Sequence, residues 1–295
     1  MNLEDTFISW TKPSSDSEQD KQERTERMIR DAINAHEPFE NCLLSVYAKG
    51  SYANNTNVRA DSDVDIAVEC TEAIYWGEAE QGTYEPSSPY QGIWTPKKLR
   101  SELVAALEKK FPGQVDTSGS TAIQINSSSA RVDADVVPCF TYRYYLSSNS
   151  YIQGTKIFTK GDKKIVNYPA QQLQNGKDKN KRTNNAYKKA VRILKRVENA
   201  MVGQEVYQEL PSYFIECLVY NCPDKVFAHK TWTEVVQDVL IHIWQNLQGE
   251  ESASGNDRWR EVNECFYLFH NEQKWKRSDG REFAHTALNY LGYAS

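Results

Sequence analysis

The sequence predicts an α/β (α+β) fold, with a mixed lobe to about residue 170 and a helical lobe over 171–295. Three observations carry this. Short apolar runs of strand length (43–47, 64–68, 123–125 and 132–140) are confined to the first part. Helical apolar spacing appears in that part only twice, once before these runs and once between them. Beyond Pro169 the strand-like runs give way to successive helical patterns. A chain of 295 residues is long enough for one large domain or two lobes, each with a real core.

The elements follow in order. Residues 1–16 read as a frayed, acidic start, and 17–35 as a charged helix with Met28, Ile29 and Ile33 on one side. The strand at 43–47 ends at Gly50-Ser51, where a short helical turn begins. A polar turn (54–59) leads into the strand at 64–68. Residues 71–94, rich in Gly, Pro, Ser, Tyr and Trp, read as a long surface loop. Thr95-Pro96 opens a helix to about residue 110, proline being tolerated in the first turn. Strands at 123–125 and 132–140 are joined by a serine-rich turn at 127–129. A hairpin then pairs 155–159 with 164–168 around Gly161-Asp162. Helical patterns fill 184–202, 212–221, 230–248, 257–272 and 280–291, and no internal repeat is present.

Composition narrows the function. Lys and Arg number 35 against 40 Asp and Glu, a formal net charge of −5, with 39% hydrophobic and 12% aromatic residues. That describes an ordinary folded chain, and the mild acidity argues against a general nucleic-acid surface. No run approaches the 18 apolar residues of a membrane span and no secretory signal is visible, so a cytoplasmic protein without a membrane partner is expected. The six cysteines form no CxxC pair. Cys217, Cys222 and His229 fit no zinc template, and reduced, buried thiols are expected.

The informative stretch is Gly50-Ser51 followed, after eleven residues, by Asp63-Val64-Asp65-Ile66-Ala67-Val68. On a strand, residues i and i+2 share a face, so Asp63 and Asp65 present two carboxylates together. Such a pair is unfavourable unless one is protonated or a cation intervenes. Carboxylate oxygens suit a hard divalent cation, most simply Mg2+. Asp135, on the strand at 132–140, would add a third carboxylate, and three can hold two metals for phosphoryl transfer. Gly50 allows close backbone approach to a phosphate, and Ser51 opens a turn with free N–H groups. Singly, an Asp-x-Asp is most often a solvated strand end and a Gly-Ser most often a turn. Asp61 and Asp133 read as solvated or supporting groups.

At these residues the chain resembles the polymerase-β-like nucleotidyltransferases. Gly50-Ser51-Tyr52, Thr56-Asn57-Val58-Arg59 and Asp61-Ser62-Asp63-Val64-Asp65 are similar to the cGAS/DncV-like nucleotidyltransferases (CD-NTases), within them to clade E, the CdnE enzymes. Ala134-Asp135-Val136-Val137, Val166-Asn167-Tyr168-Pro169, Asn175-Gly176, Pro211-Ser212-Tyr213-Phe214, Glu216-Cys217-Leu218 and Tyr220-Asn221 extend the resemblance over nearly the whole chain, more loosely in the last 70 residues. It implies a nucleotidyltransferase lobe with a mixed sheet, a helical lobe, and an active site in the cleft between them. It further implies a metal triad of Asp63, Asp65 and Asp135 holding two Mg2+ (or Mn2+), with Gly50 and Ser51 at the donor triphosphate.

By the same resemblance Lys188, Arg192 and Lys195 meet the triphosphate. Their spacing puts them on one helix face, which alone would read as a solvated face. Ser212 and Tyr213 match the pair that holds a γ-phosphate and stacks on a base; read locally, they are a helix cap and a core tyrosine. Asn167 matches the position at which pyrimidines are read, its amide offering donor and acceptor to a uracil edge, whereas locally it is a turn residue before Pro169. The implied activity is cyclic dinucleotide synthesis from UTP, with ATP as a candidate second substrate, giving cyclic UMP–UMP or UMP–AMP. The implied setting is CBASS anti-phage signalling by a monomer whose product is sensed by an effector protein in trans. A DNA or RNA activator is not expected, since no zinc-ribbon Cys/His set is present. The alternative is a mononucleotidyltransferase modifying an antibiotic or a protein.

Overall fold

The computed structural model describes residues 2–13, 15–58, 63–84 and 90–293. In chain order the elements are α1 (Leu3–Trp10), α2 (Asp16–Asn34), β1 (Leu44–Lys49), α3 (Gly50–Ala53), β2 (Val64–Glu78), α4 (Pro96–Lys110), β3 (Val115–Asp116), β4 (Ile123–Ile125), β5 (Ala134–Ser147), β6 (Ser150–Phe158) and β7 (Lys164–Asn167). Helices follow: α5 (Pro169–Arg182), α6 (Ala186–Gly203), α7 (Ser212–Tyr220), α8 (Trp232–Asn246) and α9 (Arg277–Tyr290). The chain divides into two compact units, Ser15–Ala53 with Arg59–Pro169, and Met1–Ser14 and Asn54–Val58 with Ala170–Ser295. No described helix is long and apolar enough to cross a membrane.

In the first unit the described strands form one mixed sheet. β1 runs antiparallel to β2, and β2 parallel to β5. The start of β5 pairs with β4, its later part with β6, and β6 with β7. Strand alternation divides its residues between two faces. Val64, Ile66, Val68 and Cys70 of β2 and Val136 of β5 are fully buried in a core shared with Ile29 and Ile33 of α2 and Leu99, Leu103 and Leu107 of α4. The opposite face carries Asp65, Ala67 and Glu69 of β2 beside Asp135, Val137 and Cys139 of β5. Thr95 caps α4, its hydroxyl oxygen accepting from the Lys98 N–H at 3.2 Å, and Pro96 stands in the first turn. On α2, Thr25 Oγ1 accepts from the Val132 N–H at 3.1 Å, tying this helix to the approach of β5.

The second unit is helical, around the buried faces of α6, α7, α8 and α9. Residues 1–14, expected to be frayed and part of the first lobe, belong here. α1 is capped by Asn2, Phe7 is fully buried, and Glu4 accepts from the N–H groups of Trp232 (2.9 Å) and Thr233 (2.7 Å) at the start of α8. A carboxylate at a helix N-terminus is stabilised there. Partial burial pushes the Glu4 carboxyl up, but the bonds from Thr233 and Trp232 outweigh it and hold the pKa below the usual value.

Two further expectations change. β2 continues to Glu78, through residues read as loop, because Tyr75 and Trp76 are strand-forming aromatics that pair with Tyr142 and Arg143 of β5. Tyr75 also packs on Phe140 and Phe158, with ring centroids 5.4 and 4.9 Å apart. Residues 257–272 form no helix. The Asn263 side-chain oxygen accepts from the N–H groups of Cys265 (2.8 Å) and Phe266 (3.3 Å), and Glu264 takes a positive φ of 58°, a local arrangement that competes with helical bonding. α5 is a helix not expected from the sequence, in a strongly polar run whose only apolar residues after Pro169 are Ala170 and Leu173.

Candidate active site

The sheet face opposite the helices assembles the carboxylates. β2 and β5 are parallel, with Asp65 directly opposite Asp135, so two acidic side chains stand side by side on one face. β1 brings Lys49 opposite Asp65 on the other flank, its Nζ 4.0 Å from Asp65 Oδ1. Burial raises the Asp65 pKa above the ordinary carboxylate value, with Asp135 adding to the rise and Lys49 opposing it. Gly50 follows Lys49 at φ +69°, and a Cβ there would collide with Asp65 Oδ2. Glycine is therefore required twice, for the left-handed backbone and for the carboxylate packed on its Cα.

Asp63 is exposed at the entry to β2. Among the described residues no group of three acidic, His or Cys side chains is placed to hold an ion, and the strand register brings Asp65 and Asp135 together. Arg59, Asp61 and Ser62 lie outside the described residues. Asp133 accepts from the Ser127 N–H and closes the turn before β5. The donor set is all oxygen, two of its members adjacent and partly desolvated. That chemistry fits a hard divalent cation.

Farther along the same face, Glu69 is buried and fully used. It accepts from Tyr47 Oη at 2.9 Å and Thr141 Oγ1 at 2.6 Å. Thr141 pairs with Thr155 on β6, and Thr155 with Asn167 on β7, so Asn167 shares the carboxylates' face. Its side-chain amide is half-buried and makes no hydrogen bond to any described residue. Gly154 permits this edge, since a Cβ there would meet the Asn167 carbonyl at 2.6 Å and the Tyr168 ring at 2.8 Å.

The basic residues lie in the helical unit. Lys188, Arg192 and Lys195 share one side of α6, as their spacing predicts, but that side is not solvated. Lys195 is 2% exposed; its Nζ donates to the Thr56 carbonyl at 3.1 Å and lies 3.6 Å from Glu216 Oε2. Glu216 also accepts from Thr56 Oγ1 (2.9 Å) and Asn54 Nδ2 (3.3 Å). Arg192 donates to the Thr11 carbonyl (2.6 and 2.8 Å) and the Asn55 carbonyl (2.5 Å). Both cations are thus spent on backbone and on Glu216, and they explain why residues 54–58 belong to this unit. Lys188 is different. It is half-buried, its Nζ makes no hydrogen bond to a described residue, and burial lowers its pKa while Glu216 opposes the fall. Ser212 is exposed in the first turn of α7, and Tyr213 beside it is half-buried. Five of the six cysteines are buried, and all six are free thiols.

The buried Lys195–Glu216 pair carries a stability prediction. Removing one charge strands the other, at a cost of about 3–5 kcal/mol. Lys195→Met should therefore lower the denaturation free energy by about that amount. Lys195→Met with Glu216→Gln should recover much of the loss, because the uncompensated carboxylate is gone. Equal losses in the single and double variants, by equilibrium urea unfolding, would show that the pair is not coupled.

Residues 174–292 match the C-terminal helical domain of the cGAS/DncV-like nucleotidyltransferases. Over nearly its whole length the chain is 37% identical to the cyclic dipyrimidine nucleotide synthase CdnE of Legionella pneumophila, covering 99% of this chain and 98% of that one. It is 34% identical to the enzyme of the same name from Cecembia lonarensis, covering 98% of each. The chain belongs to the CD-NTase family. Among solved structures, this CD-NTase is similar to the CdnE cyclic dinucleotide synthase of Elizabethkingia meningoseptica with GTP and Apcpp. The TM-score is 0.81 at 31% identity, covering 99% of this chain and all of that one. The mixed sheet followed by helices is accordingly the polymerase-β-like nucleotidyltransferase architecture, and the CD-NTase is a nucleotidyltransferase by family.

Proposed function

We propose that this CD-NTase joins two nucleoside triphosphates into a cyclic dinucleotide containing at least one uracil, with UTP as a substrate and ATP as the candidate second one. The observation that carries the reading is the Asp65–Asp135 pair, in register on neighbouring parallel strands and packed against Gly50. In each of two transfers a ribose hydroxyl oxygen bonds to the α-phosphorus of a triphosphate, the bond from that phosphorus to the β-phosphate bridging oxygen breaks, and pyrophosphate leaves. Asp63, Asp65 and Asp135 would hold Mg2+. Its positive charge, when bound, favours ionisation of the attacking hydroxyl and offsets charge on the departing pyrophosphate.

The chain's own groups bind and orient. Gly50 keeps Asp65 close to the turn, and Ser51 offers its hydroxyl to the donor triphosphate. Lys188 supplies the free ammonium of the basic helix face, while Arg192 and Lys195 act through residues 54–58. Ser212 meets a terminal phosphate and Tyr213 stacks on a base. Positioning of this kind supplies much of the rate in phosphoryl transfer. Wild-type protein given nucleotides alone should release pyrophosphate from UTP. Release that needs an added antibiotic or protein acceptor would favour the mononucleotidyltransferase reading. The product would act on an effector protein in CBASS defence, the role implied by the CdnE relatives.

Family membership leaves the base open, since one relative's structure holds GTP. Asn167 is the residue here that can decide it, because its amide is unpaired and a unique donor–acceptor edge can match uracil. Failure to satisfy a buried polar edge costs about 1–3 kcal/mol. Asn167→Ser should therefore cut uracil incorporation about tenfold in a four-nucleotide competition. An unchanged product spectrum would make Asn167 only the turn residue before Pro169.

A further inference from the structure

Glu261 is a buried carboxylate with no part in the chemistry above. It sits in the irregular segment between α8 and α9, 7% exposed. Three side chains donate to it. Asn263 Nδ2 reaches Oε2 at 2.7 Å, Tyr213 Oη reaches the same oxygen at 3.2 Å, and Gln273 Nε2 donates to Oε1. Asn263 is itself 5% exposed, its own oxygen taken by the N–H groups of Cys265 and Phe266. A carboxylate withdrawn from water is costly unless it is hydrogen-bonded, and here both oxygens accept, Oε2 from two donors and Oε1 from one. The Tyr213 ring is also braced by Trp275, at 67° and 6.4 Å between centroids. The hydroxyl bond to Glu261 fixes the far end of the ring's axis, and packing on Trp275 limits how the ring turns about that axis, so the two together set its plane.

We propose that Glu261, held by Asn263 and Gln273, is the positioning residue that orients the Tyr213 ring for nucleobase stacking. This rests on the reading of Tyr213 as a base platform. An oriented ring binds a base without first losing side-chain freedom, so the effect falls on nucleotide affinity and leaves the transfer step alone.

The test measures KM for nucleotide, kcat and melting temperature in five variants. Stacking is worth about 1–3 kcal/mol per base, so Tyr213→Leu, which keeps bulk and loses the π-face, should raise KM roughly 5- to 150-fold. Glu261→Ala should raise KM about 5- to 10-fold with kcat within twofold, and Tyr213→Phe should do nearly the same, as expected for one charge-assisted bond. Glu261→Ala combined with Tyr213→Phe should raise KM by clearly less than the product of the two single effects, because both delete the Tyr213–Glu261 bond, while Tyr213→Phe also removes the 3.5 Å contact from Asn263 Nδ2. Glu261→Gln should recover most of the affinity, since its oxygen can still accept from Tyr213 while a flipped Gln273 amide accepts from its nitrogen. An unmoved KM in Glu261→Ala, multiplied effects in the double variant, or Glu261→Gln as impaired as Glu261→Ala would each overturn the proposal. If Glu261→Ala does not fold, an unmoved KM in Tyr213→Phe overturns it as well. An unmoved KM in Tyr213→Leu removes the stacking reading itself, and the proposal with it, which separates the two failures.

Discussion

Asp65→Asn is expected to abolish nucleotidyl transfer, by about three orders of magnitude or more, while making the metal-free protein more stable at neutral pH. The two effects have one cause. Asp65 stands in register with Asp135, and burial together with that neighbour lifts its pKa despite Lys49. A carboxyl whose pKa is higher in the native chain than in the unfolded one binds more protons when folded across the interval between the two values. Stability therefore falls as pH rises through that interval, and above it the ionised, metal-free Asp65 is a net cost. The asparagine carries no charge, so its melting temperature in chelator should exceed the wild type's at neutral pH and converge on it under acidic conditions. Asp63→Asn combined with Asp65→Asn should be equally inactive. Transfer surviving in Asp65→Asn, or a lower neutral melting temperature in chelator, would mean that Asp65 is a structural strand residue.

Gly50→Ala is expected to cost both stability and turnover. Its backbone is at φ +69°, where a Cβ costs about 1–2 kcal/mol. The added methyl also meets Asp65 Oδ2, so the carboxylate must swing away from the place it now holds beside Asp135. Displacing a catalytic group by about 1 Å can reduce the rate about 100-fold, the fall expected here. Gly113 is the control, because it has φ +71° and no heavy atom within 4 Å of where a methyl would stand. Gly113→Ala should lose a similar backbone term and retain full turnover. Equal activity in the two variants would show that close approach to Asp65 has no catalytic role.

The legible parts of this fold are those set by local chemistry. Strand alternation at 64–68 separates Val64, Ile66 and Val68 from Asp65, and the core face appears where that pattern puts it. Thr95-Pro96 announces α4 through its cap. β2 beyond Cys70 is harder to read, since its Tyr and Trp become strand residues only through the aromatic stretch of β5. Residues 257–272 carry apolar spacing, yet the Asn263 side chain competes for the N–H groups a helix would need.

The site divides in the same way. Asp65, Asp135 and Gly50 are legible because spacing along a strand fixes which face a side chain joins. Helical spacing likewise places Lys188, Arg192 and Lys195 together. Whether their face meets water depends on residues 54–58, more than a hundred positions away, whose carbonyls take up Arg192 and Lys195. Lys49 and Glu261 escape notice for the same reason, as does the pairing of Glu216 with Lys195. A lone charged residue shows its use only when another element supplies its partner.

The most direct test is mass spectrometry of the phosphatase-resistant product formed from an equal mixture of the four ribonucleoside triphosphates and Mg2+. The expected result is a cyclic dinucleotide containing uracil, with two pyrophosphates released per molecule and none formed by Asp65→Asn. Absence of any dinucleotide, or a product without uracil whose composition Asn167→Ser leaves unchanged, would contradict the account.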